Sequence, residues 1–342
     1  MIFINNIKKI FILLLCTSLM FVSCGCNKNK DWTTSQMVFN LQGLHSGDAK
    51  FLKNSVVTSV DGKLTIYSMD GKKIKTYDDI HSNWIDSISD EGIIVYGNFN
   101  NEIGIAILDS DYNMISNEIV MKTPNLQIDP AIMKVKNNYY MTITEISGTV
   151  NNADKEMENG LYTIHLYKSD DLKTWTLLSD VVSCKNNIED VDFFYHNDKF
   201  YVVYEKEEVD KGNSAICSII SKDSDGIEWE REKQLLKADC DHEPAAIFYD
   251  KNGYVLYYSS DKDSIGQSYM GGKIYYAEYN NEFEVLCQDI ELKTDIDGGI
   301  LLYDVKIEKN TALFLVAENY LTDSNLAVVE ISGIQERKNS KE

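Results

Sequence analysis

One pattern is written three times in this chain. DHEPAAIFYDKNGYVLYYSS, Asp241 to Ser260, repeats the plan of IDPAIMKVKNNYYMTITE, Ile128 to Glu145, and of IEDVDFFYHNDKFYVVYE, Ile188 to Glu205. Each copy opens on an acid (Asp129, Asp190, Glu243), runs on as a short apolar strand, breaks at a polar turn and resumes as an aromatic-rich strand. From the acid to the first aromatic of the second strand (Tyr139, Phe200, Tyr254) the spacing is ten, ten and eleven residues. Three carboxyls therefore hold one structural position of a repeating hairpin. Strand-rich repeats with a period of roughly 40 to 60 residues read as propeller blades. Equivalent strand starts in a propeller converge on one end of a central channel, so acids far apart in sequence are expected to share a pocket.

The rest of the chain agrees with an all-β fold. From Ser55 onward apolar and polar residues alternate, with Asp-Gly, Asn-Gly and Asn-Asn turn signals between the runs. No long stretch has helical periodicity after the N-terminal segment. A first unit holds SVVTSV, KLTIYSM and KKIKTY (Ser55 to Tyr77), and a second covers Trp84 to Thr123. Units near Asp129, Asp190 and Glu243 show four strands each, and the last, Asp297 to Ser332, shows three. A last blade one strand short is what ring closure by an N-terminal strand produces, and closure removes the exposed edges. The spacing fits a five-bladed β-propeller, with six blades as the alternative. YKSDDLKTW (Tyr167–Trp175) and SKDSDGIEW (Ser221–Trp229) read as serine-aspartate turns that each deliver a tryptophan between strands.

Residues 1–23 read as a targeting segment: Lys8 and Lys9 precede an apolar run, Ile10 to Val22, too short to favour a membrane span of about 20 residues. FVSC resembles the lipobox of bacterial lipoproteins, which makes Cys24 the expected lipid-bearing N-terminus. The division expected is a signal at 1–23, a tether at 24–36, one propeller domain at 37–333 and a polar tail at 334–342. The mature protein is expected at the cell membrane, held by its lipid and facing outside the cytoplasm. The formal charge of −21, near −23 once Lys8 and Lys9 are gone, and only two arginines, Arg231 and Arg337, argue against nucleic acid as a partner. A monomer is expected. The cysteines beyond the anchor (Cys26, Cys184, Cys217, Cys240, Cys287) have no paired spacing, so neither a zinc site nor a disulfide framework is indicated. They read as small buried hydrophobes.

With the blade openings IDPAIM, IEDVDFF and HEPAAIF, the aromatic second strands and the DLKTW turn in view, the chain resembles the five-bladed propeller glycosidases of glycoside hydrolase family 43 and relatives, over roughly Trp84 to Ser332. The resemblance implies hydrolysis of α-L-arabinofuranosidic or β-xylosidic linkages, with inversion. Such cleavage needs one carboxyl as acid and another as base, and burial or a neighbouring charge must keep the acid protonated. The family pattern makes Glu243 in HEP the acid and Asp190 the aspartate that tunes it. The bland reading of each is a strand-start carboxyl that caps backbone amides.

For the base, the position ten residues before Ile93 is Asn83, which cannot take a proton from water. That leaves Asp86, three residues on, or Asp129, whose Asp-Pro matches the family's hallmark, or a chain without catalysis. Asp129 is the preferred choice. Trp84 is expected either to stack on a sugar ring or to fill core, and His242 either to contact a sugar hydroxyl or to be hydrogen-bonded in place. No cofactor is required; the resemblance allows a calcium ion held through a channel histidine, but no histidine matches that position. Sialidases, also propellers, grip a sugar carboxylate with three arginines, which this chain lacks. The reading left beside the glycosidase is a non-catalytic glycan-binding or scaffold propeller, motivated by Asn83. The Cys24→Ala protein should take up no label from radioactive palmitate, whereas persistent label would move the anchor to Cys26 or remove it.

Overall fold

The computed structural model describes residues 35–148, 160–207, 212–250, 252–334 and 338–339. Residues 1–34, with the targeting segment, Cys24 and most of the tether, lie outside the described residues, as does most of the C-terminal tail. Six sheets of antiparallel strands follow one another along the chain, each with four strands in order, and one sheet gains a fifth, two-residue strand, Lys338–Asn339. The fold is an all-β propeller with six blades, the second of the two counts expected. The inner strands are Ser46–Leu52, Trp84–Ile88, Leu126–Val135, Asn187–His196, His242–Asp250 and Ile300–Glu308, for blades 1 to 6.

Blade 6 has only three strands of its own. Ser35–Leu41 completes it by pairing antiparallel with Asn325–Ser332, from Ser35 opposite Ile331 to Leu41 opposite Leu326. The closing strand thus starts inside the stretch read as tether. The first blade also starts one strand earlier than the sequence pattern suggested, because Ser46–Leu52 lies inside Ser55–Val60.

Local sequence explains the hairpins. Asp61-Gly62 joins Val60 to Lys63 with φ of 51° and 70°, and Asn197-Asp198 joins His196 to Lys199 with φ of 49° and 56°. Both positive values in a two-residue loop match the twist of the flanking strands, and Asn, Asp and Gly tolerate them. The serine-aspartate turn forms as expected: Ser169 Oγ accepts the Leu172 N–H, Asp171 Oδ1 accepts the N–H groups of Lys173 and Thr174, and Trp175 Nε1 donates to the Leu172 carbonyl.

Apolar layers fill the gaps between blades. Between blades 4 and 5, Phe194 stacks on Tyr201 at 4.7 Å and meets Tyr254, which stacks on Phe283 at 4.5 Å. Inner strands of neighbouring blades do not pair with each other, so their N–H groups need acceptors from elsewhere. A side chain supplies one at every joint. Asp48 Oδ2 accepts from Ile85, Asp86 Oδ2 from Ile132, Asp129 Oδ2 from Asp190, Ser214 Oγ from His242, Ser259 Oγ from Leu302 and Asp304 Oδ2 from Phe51, at 2.6 to 3.1 Å. The last of these carries the stitching from blade 6 back to blade 1.

Cys217 and Cys240 are buried and Cys184 is half-buried, all three as free thiols, while Cys287 is disulfide-bonded. Cys287 is buried as expected, but its disulfide was not indicated by the cysteine spacing. Phe194 has no exposed surface and Ile115 is 65% exposed. Phe194→Ala should lower unfolding free energy by about 3–5 kcal/mol in urea titration, and Ile115→Ala should stay within about 0.5 kcal/mol of the parent.

Candidate active site

The acids at the blade openings gather because the inner strands bulge there. In blade 3 the register shifts between Ile128 and Ala131, and in blade 4 between Glu189 and Asp192, so Asp129 and Asp190 fall at the same place. Both adopt left-handed backbone, with φ of 46° and 50°. Aspartate tolerates that conformation better than most residues, and a bulge re-aims a side chain that a regular strand would point elsewhere. Blade 1 bulges between Ser46 and Ala49, around Asp48. In blade 5 Glu243 is still in the ladder, opposite Ser259, just before the bulge at Ala245.

A cavity of about 170 Å3 results at this end of the channel, lined by Asp48, Asp86, Asp129, Asp190, Glu243 and aromatic residues Trp84, Tyr269, Tyr303 and Tyr320, among others. The two aspartates weighed for the base, Asp86 and Asp129, both border it. Asp86 is 4% exposed and its Oδ2 is occupied by the Ile132 N–H. Asn83 does not line the cavity; its N–H donates to the Gly97 carbonyl. Half-buried Trp84 borders the cavity and meets Phe99 edge-on at 5.0 Å. A second cavity, of about 470 Å3, shares Lys50, Asp86 and Asp192 with the first and is lined further by Ser89, Glu91, Lys134 and Lys306, near the far ends of the inner strands.

His242 is not part of this lining. Successive side chains in a strand point to opposite faces, so a strand that turns Glu243 into the channel turns His242 away from it. The imidazole is 2% exposed and its Nε2 lies 3.4 Å from Cys240 Sγ. Among the described residues no histidine lines this cavity, so none is placed there to hold the calcium that the resemblance allows.

Carboxylate oxygens of Asp190, Glu205 and Glu243 lie within 4.8 Å of one another. Glu205, at the end of the second strand of blade 4, was not singled out from the sequence. Glu243 and Glu205 are each only 6% exposed. Burial first, and then the charges of Glu205 and Asp190, push the Glu243 carboxyl well above the ordinary glutamate range; Glu243 also donates a hydrogen bond to Asp190. Burial pushes Glu205 up as well, opposed by its hydrogen bond with Glu243. Three carboxyls so close cannot all ionise. With Glu243 and Glu205 both raised, at least one proton stays within the group.

The remaining acids differ. Burial, and after it the charges of Asp190 and Glu189, raise Asp129 well above the usual aspartate range. Burial pushes Asp48 up to about 6, while Lys50 and the N–H groups of Ile85 and Ala49 pull the other way. Tyr269 feels Glu243: the negative charge which that carboxyl carries once ionised, and then burial, hold the phenol well above the usual range. Tyr269 packs edge-on against Tyr320 at 5.2 Å.

Residues 123–299 match the model for glycosyl hydrolases family 43. The chain belongs to this family. Its function class is therefore glycoside hydrolysis, with a glycan as substrate. No curated protein matches the chain in sequence. Among solved structures it is similar to the α-L-arabinofuranosidase Arb93A from Fusarium graminearum in complex with an iminosugar inhibitor: 10% identity over 87% of this chain and 97% of the other, TM-score 0.57. It is also similar to the β-propeller domain of Cps50 (Swd1) from Myceliophteria thermophila, at 8% identity over 87% and 100%, TM-score 0.51. The family 43 endo-arabinanase from Bacillus licheniformis aligns at 14% identity over 72% and 92%, TM-score 0.46. At these identities the likeness is one of fold; membership of family 43 rests on the sequence match.

A general acid works only below its own pKa, so the activity of a family 43 site falls as pH rises through that value. Asp190→Asn and Glu205→Gln each remove a charge that raises Glu243. Each should move the alkaline limb of the kcat/KM profile to lower pH. An alkaline limb that stays in place in both variants would detach Glu243 from its neighbours.

Proposed function

We propose that this family 43 chain is a lipid-anchored hydrolase, displayed outside the cytoplasm, that cleaves α-L-arabinofuranosidic or β-xylosidic linkages with Glu243 as general acid. The observation that carries this reading is the buried Glu243 carboxyl, raised well above the ordinary glutamate range between Asp190 and Glu205 and bordering a cavity rimmed with aromatic rings. Glu243 gives its proton to the leaving glycosidic oxygen as positive charge develops on the departing sugar. Asp190 tunes that proton through the hydrogen bond it accepts.

The base has to be ionised at working pH, and the best base has a pKa near it. Asp48, at about 6, meets this condition. Asp129, the preferred choice on sequence grounds, is held protonated more strongly by burial and by Asp190. We therefore assign Asp48 to take the proton from the attacking water, and Asp129 to stitch blade 3 to blade 4 through the Asp190 N–H. A water between acid and base implies inversion, for which carboxyl pairs stand about 6.5–9.5 Å apart. Trp84, Tyr269 and Tyr320 offer ring faces and edges to a sugar. With Asn83 outside the cavity, the motive for a purely glycan-binding propeller falls away.

The anchor at Cys24 rests on the Lys8–Lys9 and Ile10–Val22 pattern before FVSC. Among the described residues no helix is long and apolar enough to cross a membrane.

Glu243→Gln keeps the shape of the side chain but has no proton to give. Turnover of unactivated arabinosides or xylosides should fall by about two to four orders of magnitude, with a smaller loss on aryl glycosides whose leaving group hardly needs protonation. Asp48→Asn should lose a comparable amount on both kinds of substrate, and Asp129→Asn distinctly less. Full activity of Asp48→Asn beside an inactive Asp129→Asn would return the base to Asp129, and equal hydrolysis of the unactivated substrate by parent and Glu243→Gln would remove Glu243 as the acid.

A further inference from the structure

The crossover from blade 4 to blade 5 gathers a second cluster, outside the cavity. Cys240 Sγ, His242 Nε2 and Asp239 Oδ1 form a triangle with sides of 3.4 Å (Sγ to Nε2), 3.7 Å (Sγ to Oδ1) and 3.6 Å (Oδ1 to Nε2). A tetrahedral divalent ion with bonds of about 2.0–2.3 Å to nitrogen, oxygen and sulfur sets its ligands about 3.3–3.7 Å apart. The three donor atoms already stand at that spacing.

The surroundings match the needs of such a centre. Cys240 is 1% and His242 2% exposed, while the Asp239 side chain is 71% exposed and opens the cluster to solvent. The His242 ring also donates to the Lys237 carbonyl, the kind of outer hydrogen bond that orients a metal-ligating imidazole. Ser260 Oγ lies 3.4 Å from Cys240 Sγ, a polar neighbour on the sulfur side of the cluster. The backbone is held on both sides, by the Ser214 N–H donating to the Cys240 carbonyl and the Ser214 hydroxyl donating to the His242 carbonyl.

We propose that Asp239, Cys240 and His242 bind one divalent transition-metal ion of the zinc class, with solvent as fourth ligand. Thiolate, imidazole and carboxylate together select zinc or its cobalt substitute over calcium or magnesium, which take oxygen ligands in larger number. On binding, the sulfur–metal bond replaces the Cys240 S–H bond and the proton passes to solvent. No electron is transferred. Since His242 directly precedes Glu243, the ion ties the crossover to the start of the strand that carries the acid and acts as a positioning device. The site stands independently of the glycosidase reading.

The test is titration of the full chain with Co2+ and with Zn2+ alone. One equivalent of Co2+ should bind, with thiolate-to-cobalt charge-transfer absorption in the near ultraviolet and the intense visible bands of a tetrahedral ion, and Zn2+ should displace it while Ca2+ does not. Cys240→Ser should lose the charge-transfer band. Should that variant fail to fold, Asp239→Asn, altered at an exposed side chain, should fold and bind Zn2+ at least about tenfold more weakly. No stoichiometric Co2+ band in the parent, a band kept in Cys240→Ser, or unchanged Zn2+ affinity in Asp239→Asn would overturn the proposal.

Discussion

The joints between blades govern this molecule. Inner strands of neighbouring blades run side by side without a shared ladder, so each leaves backbone N–H groups that must find acceptors or cost stability. At all six joints a side-chain oxygen does this, from Asp48, Asp86, Asp129, Ser214, Ser259 and Asp304. Four of the six are aspartates, so the structural need that holds the ring together also lines its channel with carboxyls. The pairing of Ser35–Leu41 with Asn325–Ser332 closes the same ring from outside.

Against that background Glu243 stands apart. Its carboxyl is paired with Asp190 and Glu205 rather than with the next strand, and it is buried where ionisation is opposed by burial and two neighbouring acids. Asp48 and Asp129 do both jobs at once: each holds a backbone N–H and each faces the cavity. Their difference is electrostatic. Lys50 beside Asp48 restrains its rise, whereas Asp129 has Asp190 and Glu189 for neighbours.

Much of this was legible in the sequence. The spacing from Asp129, Asp190 and Glu243 to the aromatic strands located three blade openings and three carboxyls of one cavity, and the three-strand last unit announced closure from the N-terminus. Asp48 escaped because its strand, SGDAKFL, is short, has a glycine just before the aspartate and lacks the aromatic partner that marks the other openings. The first unit therefore seemed to start at Ser55. Glu205 escaped because an acid at the far end of a strand reads as a solvated strand end; only the pairing of Glu189 with Glu205 brings it beside the openings. His242 was drawn toward the substrate by its adjacency to Glu243, although alternation along a strand sends neighbours to opposite faces. Asp239, Cys240 and His242 gave no paired spacing, since all three donors come from four consecutive positions and converge only through the turn of the crossover.

The account depends on one carboxyl keeping its proton. The direct measurement is the 13C chemical shift of the Glu243 side-chain carboxyl against pH, assigned by comparison with Glu243→Gln in protein labelled at glutamate. The account predicts that this carbon stays in its protonated position well above the ordinary glutamate value of 4.5, with a midpoint that falls in Asp190→Asn. Titration of Glu243 near 4.5 in the parent would contradict it.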